Sequence, residues 1–323
     1  MRFAAYAYRH RQHVAVVEED GTLFPLPGVT SLIDLIRETG GLRGLLAAGA
    51  AAPDVPAGPH VSQVRLLAPV QPSSIRDFVT FEEHVEGVRR SVSGAAGVPD
   101  QWYDAPTFYF SNPHAVFGPY DDVPMPPGSS VLDYELEVAA VIGRDGHDLT
   151  PERARDHIVG YTVFNDWSAR DLQSAEMKVG LGPCKGKDTA TTLGPYLVTA
   201  DELEPYRDPD GFLRLALTAE VNGRRVGSDL LSNMSWTFEE MTAYASRGTR
   251  IVAGDVLGSG TCGNGGCLAE LWGRSGEQVP PPLRPGDTVT LTVEGIGSLT
   301  TRIVPGPAPV GLPRARSRSR ERP

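Results

Sequence analysis

The segment VLDYELEVAAVIG, residues 131–143, constrains the fold more than any other part of the chain. Read as one strand, it sets Leu132, Tyr134 and Leu136 on one face and Asp133, Glu135 and Glu137 on the other. Its second half, VAAVI, is apolar on both faces, which suits a central strand covered on both sides. The same strand therefore carries Glu135 and Glu137 inward, two residues apart and on one face. Like charges that close raise each other's pKa, and buried acids need a partner. A divalent cation taking oxygen ligands, Mg²⁺, Ca²⁺ or Mn²⁺, would answer both demands. A solvated acidic face is the plainer alternative; the strand's central character argues against it.

The remaining pattern is that of an α+β protein, mainly β. A length of 323 residues suggests about two domains, and 36 Gly with 28 Pro point to many turns and short strands. Residues 1–66 read as a small N-terminal α+β module. MRFAAYAY and HVAVVEED are its strands, and SLIDLIRETGG is a helix capped by Thr30 or Ser31 and stopped by Gly40. AAGAAAPDVPAGPH reads as a linker, and residues 67–305 as the main domain. There FEEHVEGVRRSV has helical spacing, HIVGYTVFND is a strand, and Thr237-x-x-Glu240 is a capping box. Residues 306–323 form an Arg/Ser-rich tail read as disordered.

Several function classes recede on these grounds. No run of 18 apolar residues occurs, so no membrane partner is expected. The first residues lack a signal-peptide pattern, and Cys184, Cys262 and Cys267 are too few for a disulfide framework, so a cytoplasmic protein is expected. A net charge of −10 disfavours nucleic acid, although the tail resembles RNA-binding arginine-serine segments. GDVLGSGTCGNGG lacks the Gly-Lys-Ser/Thr ending of a phosphate loop and a following helix, so no nucleotide site is read there. Cys262 and Cys267 read as structural thiols.

Three further features carry chemistry. Asp166 ends the strand YTVFND, and Asp166, Arg170 and Gln173 have the spacing of one helical face. Lys187 lies in the Gly/Pro-bounded loop GPCKGKDTATTLGP. In order, DYELEVAAVIG, FNDWSARDLQ, GKDTATTLGPYLVT and GDVLGSGTCGNGGCLAE resemble the fumarylacetoacetate hydrolase family over roughly residues 70–305.

That resemblance implies a β-roll C-terminal domain of mixed sheets, usually dimeric, with a Mg²⁺- or Ca²⁺-dependent site. It implies Glu135, Glu137 and Asp166 as core metal carboxylates and Asp77 as a further ligand. It gives His84 as catalytic base, oriented by Glu270. Arg170, Gln173 and Lys187 would bind the substrate's oxyanion, with Thr191 beside the metal and Thr261 touching substrate. Longer family members carry gripping residues where this chain has Val79, Ser93 and Met177, while Trp102, Tyr103, Phe108 and Tyr109 suggest an aromatic lid or wall. The expected activity is hydrolysis of a 1,3-dicarbonyl C–C bond, of acylpyruvate or β-diketone type, with an enolate leaving. A decarboxylase, isomerase or hydratase of a 2-oxo acid is the second reading, and a non-catalytic scaffold or tail-mediated RNA binder the third. A homodimer is the expected assembly.

Overall fold

The computed structural model describes residues 1–52, 56–318 and 320, and only the backbone of Val92 and Ser93. Alternating apolar residues at the start of the chain give the meander β1 (Arg2–Tyr8), β2 (Arg11–Val17) and β3 (Leu23–Pro25). Helices α1 (Leu32–Thr39) and α2 (Leu42–Ala50) follow. Ser31 caps α1, its Oγ accepting the Asp34 N–H at 3.2 Å, and Gly40 closes it in the left-handed region at φ 75°. The linker starts later than expected, because Ala47 to Ala50 belong to α2. Alanine favours helix, and Gly49 lets α2 press onto Phe3, whose ring a Cβ there would approach to 2.8 Å. Residues 53–55 of the linker lie outside the described residues.

The main domain supplies β4 (Ser74–Phe78), α3 (Glu82–Ser93), β5 (Phe108–Ser111), β6 (Leu136–Ile142) and β7 (Ile158–Asp166). Next come α4 (Arg170–Met177), β8 (Thr191–Thr199), β9 (Ala216–Val221), β10 (Arg224–Leu230) and α5 (Phe238–Ser246). The chain ends its regular structure with β11 (Asp255–Gly258), α6 (Leu268–Ser275), β12 (Thr288–Val293) and β13 (Gly297–Val304). One large sheet runs β3-β2-β1-β8-β7-β6-β11-β4-β5, and a second runs β10-β9-β12-β13. Within the first, β11 and β4 are parallel, whereas β6 and β7 are antiparallel and buried along their whole length. The fold is thus α+β, mainly β, with mixed sheets.

Two sequence expectations change here. Residues 1–66 are not a separate layer. β1 pairs with β8, Arg2 opposite Val198, and Phe3 and Val14 share a core with Val141, Phe164 and Leu193. The segment 131–143 is not one strand either. Leu132–Asp133 pairs with Ser168–Ala169, the ladder breaks at Tyr134 and Glu135, and β6 begins at Leu136. At the break the Glu135 N–H donates to Asn165 Oδ1 at 2.9 Å, so a side chain satisfies the backbone group. The tail shows no regular structure from 306 to 318.

Candidate active site

Sheet order brings the acids together. The end of β7 lies beside the start of β6, with Glu137 opposite Phe164, which places Asp166 near Glu137. Between β6 and β4 runs β11, and its last residue, Gly258, lies opposite Asp77. A Cβ at Gly258 would sit 2.7 Å from Asp77 Oδ1 and 3.0 Å from Glu137 Oε2, so only glycine lets the two carboxylates meet across that strand. Oxygens of Asp77, Glu135 and Glu137 come within 4.8 Å of one another. All three residues are buried.

Cationic side chains reach only part of this cluster. Arg170 Nη2 donates to Glu135 Oε1 at 2.6 Å and to Asp133 Oδ2 at 2.8 Å. Lys187 Nζ donates to Glu135 Oε2, and to Asp166 Oδ2 at 2.6 Å. Burial raises the Glu135 carboxyl's pKa, but Lys187 and Arg170 outweigh it and leave the group well below its ordinary value. Among the described residues neither Asp77 nor Glu137 has an ion pair, although the Lys187 charge acts on Asp77 from a distance. Burial and then a neighbouring carboxylate, Asp166 for Asp77 and Asp77 for Glu137, hold both well above their usual range. Among the described residues Asp166 Oδ1 is buried without a hydrogen-bond partner, and Asp77 Oδ1 has no donor other than the acid Glu137 beside it. Oxygen donors of this kind, crowded together and short of donors, fit a hard divalent cation.

Thr261 Oγ1 donates to Glu137 Oε1 at 3.2 Å and Gly260 N–H to Oε2 at 2.9 Å, so Thr261 holds a carboxylate as well as lining the cavity. Thr191 lies opposite Asp166 in the β7–β8 ladder. The expected helical face Asp166–Arg170 does not form, because Asp166 ends β7 and Arg170 opens α4. Arg170 and Gln173 do share α4, where Nη1 donates to Gln173 Oε1 at 3.1 Å. That bond fixes the amide and leaves its NH₂ group for another acceptor.

The pairing of His84 with Glu270 is the main correction. Nδ1 of His84 lies 3.6 Å from Cys267 Sγ, and Nε2 lies 3.9 Å from Glu135 Oε1. Cys267 caps α6, its sulfur receiving the Glu270 N–H at 3.4 Å, so it takes the place beside the ring expected for the glutamate. Glu270 instead has Arg274 Nη2 at 2.6 Å from Oε1, out of line for a hydrogen bond, while Oε2 accepts from Gly265 N–H. Burial lowers the His84 pKa to about 4, with Glu135 opposing and Arg170 and Lys187 assisting, so the ring is neutral at pH 7.

Burial also raises the Glu270 pKa to about 7, against Arg274 and the Gly265 N–H. The folded protein then binds this proton more tightly than the unfolded chain, so stability falls as pH rises from about 4.5 through 7. The loss is on the order of 3 kcal/mol. Glu270→Gln cannot ionise and escapes it. Its melting temperature relative to the wild type should rise between pH 5 and pH 8; parallel curves would refute this.

Tyr109, expected as part of an aromatic wall, and Asp133, expected only on the acidic strand face, do more in the site. The Tyr109 hydroxyl donates to Asp77 Oδ2 and Asp166 Oδ2, joining β5 to both acids. Asp133 receives Arg170 and also the Leu268 and Ala269 N–H groups at 2.8 and 3.0 Å. A helix therefore does follow the Gly-rich loop, contrary to expectation, and its N-terminus holds Asp133 rather than a phosphate. Of the other aromatics, Phe108 lines the cavity, Trp102 walls a neighbouring one, and Tyr103 is 55% exposed. The cavity measures about 270 Å³ and holds His84, Arg170, Gln173 and Lys187 beside the acids. A larger one of about 970 Å³, near α2, contains none of these residues.

A buried carboxylate cluster with a neutral histidine, a lysine and an arginine, set in mixed sheets, is an enzyme's equipment. A family model described as fumarylacetoacetate (FAA) hydrolase C-terminal matches residues 73–304, and the chain belongs to that family. Oxaloacetate tautomerase YisK of Bacillus subtilis is 31% identical over 244 residues, covering 75% of this chain and 74% of its own. Fumarylacetoacetase of Arabidopsis thaliana is 29% identical over 310 residues, covering 77% and 73%. The solved fumarylacetoacetate hydrolase from Exiguobacterium antarcticum superposes with a TM-score of 0.72 at 27% identity, covering 94% of this chain and 99% of that one. Among the described residues no helix is long and apolar enough to cross a membrane.

Proposed function

We propose that this chain hydrolyses the C–C bond of a 1,3-dicarbonyl of acylpyruvate type. The observation that carries the reading is a buried, neutral His84 sharing one cavity with Lys187, Arg170 and Gln173. A proton on Nδ1 directed at Cys267 Sγ leaves Nε2 as the basic atom. Nε2 takes a proton from water, whose oxygen adds to the acyl carbonyl carbon. The Gln173 amide and a remaining N–H of Lys187 stabilise the oxyanion. Collapse releases the carboxylic acid, and the protonated His84 returns its proton to the carbon of the departing enolate, giving pyruvate. Asp77, Glu135 and Glu137, with Asp166 beside them, would hold a divalent cation supplying Lewis-acid stabilisation of the dicarbonyl. By resemblance the reading extends to Mg²⁺ ahead of Ca²⁺ or Mn²⁺, and to a cytoplasmic homodimer.

A second reading, keto–enol tautomerisation of a 2-oxo acid, is favoured by the similarity to an oxaloacetate tautomerase. It needs a base that moves a proton from carbon to oxygen, and no water. Acylpyruvates, β-diketones and oxaloacetate assayed with Mg²⁺, Mn²⁺ or EDTA separate the two. The proposal expects equimolar acid and pyruvate from an acylpyruvate, and turnover lost in EDTA. Tautomer exchange without cleavage, or cleavage undiminished by EDTA, would overturn it.

A further inference from the structure

Beside the active-site cavity lies a second one of about 340 Å³, and the two share Val79, His84, Val88 and Thr107. We infer that this chamber receives the acyl tail of the substrate and selects an uncharged, apolar one; the inference rests on the hydrolase reading above. Val79, Val85, Val88, Pro99 and Trp102 form its walls. The wall is fixed in place: Trp102 Nε1 donates to the Val79 carbonyl at 2.7 Å. The indole also meets Tyr103 and Trp236 edge-on, with ring centroids 5.0 and 4.8 Å apart. The chamber is thus preformed, and filling it costs little reorganisation.

Position relative to the chemistry supports the assignment. The polar groups that would meet the reacting dicarbonyl, Arg170, Gln173 and Lys187, line the first cavity and not the second. His84 borders both, so the carbonyl under attack would lie at their junction and its alkyl or aryl group would continue into the chamber. Val79 and Met177 add apolar surface to the first cavity as well. Arg89 borders the chamber half-buried, with Nη1 donating to the Gly97 carbonyl at 2.5 Å. Gln101 completes the lining, and a tail ending in a carboxylate would set its charge among mostly apolar walls, with Arg89 already bonded to the Gly97 carbonyl, so the uncharged tail is favoured.

The test compares acylpyruvates whose acyl groups lengthen from acetyl through butanoyl and hexanoyl to benzoyl, with one tail of equal length ending in a carboxylate. Expected is a rise in kcat/KM of about fourfold per methylene until the chamber is full. The carboxylate-ended tail should run at least about tenfold below its uncharged counterpart. Val88→Lys should shift that preference toward the carboxylate-ended tail, and Val88→Leu should keep it apolar. In parallel, calorimetry with uncleavable 2-oxo acids bearing the same tails reads the chamber without any chemistry. Tail-dependent binding with no cleavage would sink the hydrolase reading and spare the chamber. Cleavage of acetylpyruvate with flat kcat/KM and flat binding along the series, or a preference for the carboxylate-ended tail, would overturn the chamber.

Discussion

On the proposed mechanism, replacing His84 with alanine should lower kcat by about 10²–10⁴-fold, the usual contribution of a positioned general base. The ring is buried, is neutral at pH 7, and has Nε2 facing Glu135 in the active-site cavity. Alanine leaves water without a proton acceptor there, whereas the carboxylates, Lys187 and Arg170 keep their mutual bonds. The loss should therefore fall on kcat while KM and Mn²⁺ affinity move little. Steady-state kinetics on a cleaved acylpyruvate, alongside Mn²⁺ titration, checks this. Full turnover by His84→Ala would remove the water-activation step.

Glu137→Gln should reduce Mn²⁺ affinity by at least about 100-fold, since even groups that merely support a metal ligand are worth 10–100-fold. Activity at ordinary Mn²⁺ concentrations should fall with it. The change is nearly isosteric: the amide oxygen can keep the Gly260 N–H, and the amide NH₂ can donate to the Thr261 hydroxyl, which turns to accept, so the local fold has little reason to move. Its effect on stability without metal has the opposite sign. Glu137 is buried beside Asp77 with no ion pair among the described residues, and both groups are held well above their usual pKa. Removing one of the two acids relieves that conflict. In EDTA the variant should melt above the wild type, and with saturating Mn²⁺ below it, which differential scanning calorimetry reads directly.

Much of this site could be read from the chain because its key spacings are local. Glu135 and Glu137 are two residues apart, and Arg170 and Gln173 lie one turn apart on α4. What escaped depends on long-range placement. Tyr109 acts only because β5 pairs with β4 and its hydroxyl also reaches the end of β7, 57 residues away. Asp133 was visible as a third acid, but its partner helix α6 follows a Gly-rich loop that carries no local helix signal until Leu268. Cys267 displaces Glu270 from His84 because Cys267 caps α6, a role for which serine or threonine is the usual choice. The docking of β1 on β8 joins residues almost 200 apart, and no local pattern foretells such a pairing. The break at Tyr134 and Glu135 depends on an Asn165 side chain replacing a ladder bond, again a tertiary event.

Lys187 and Arg170 offer a rival account of the acidic cluster, in which the salt bridges neutralise it without any metal. On the proposed reading they do not suffice, because neither Asp77 nor Glu137 has an ion pair among the described residues and both carboxyls stay well above their usual pKa. Counting bound Mn²⁺ by electron paramagnetic resonance decides between the two, using EDTA-stripped wild-type protein and the Glu137→Gln and His84→Ala variants. Expected is one ion per chain for the wild type and for His84→Ala, and its loss in Glu137→Gln. A wild type that binds no Mn²⁺, or a Glu137→Gln variant that binds it as tightly, would contradict the account.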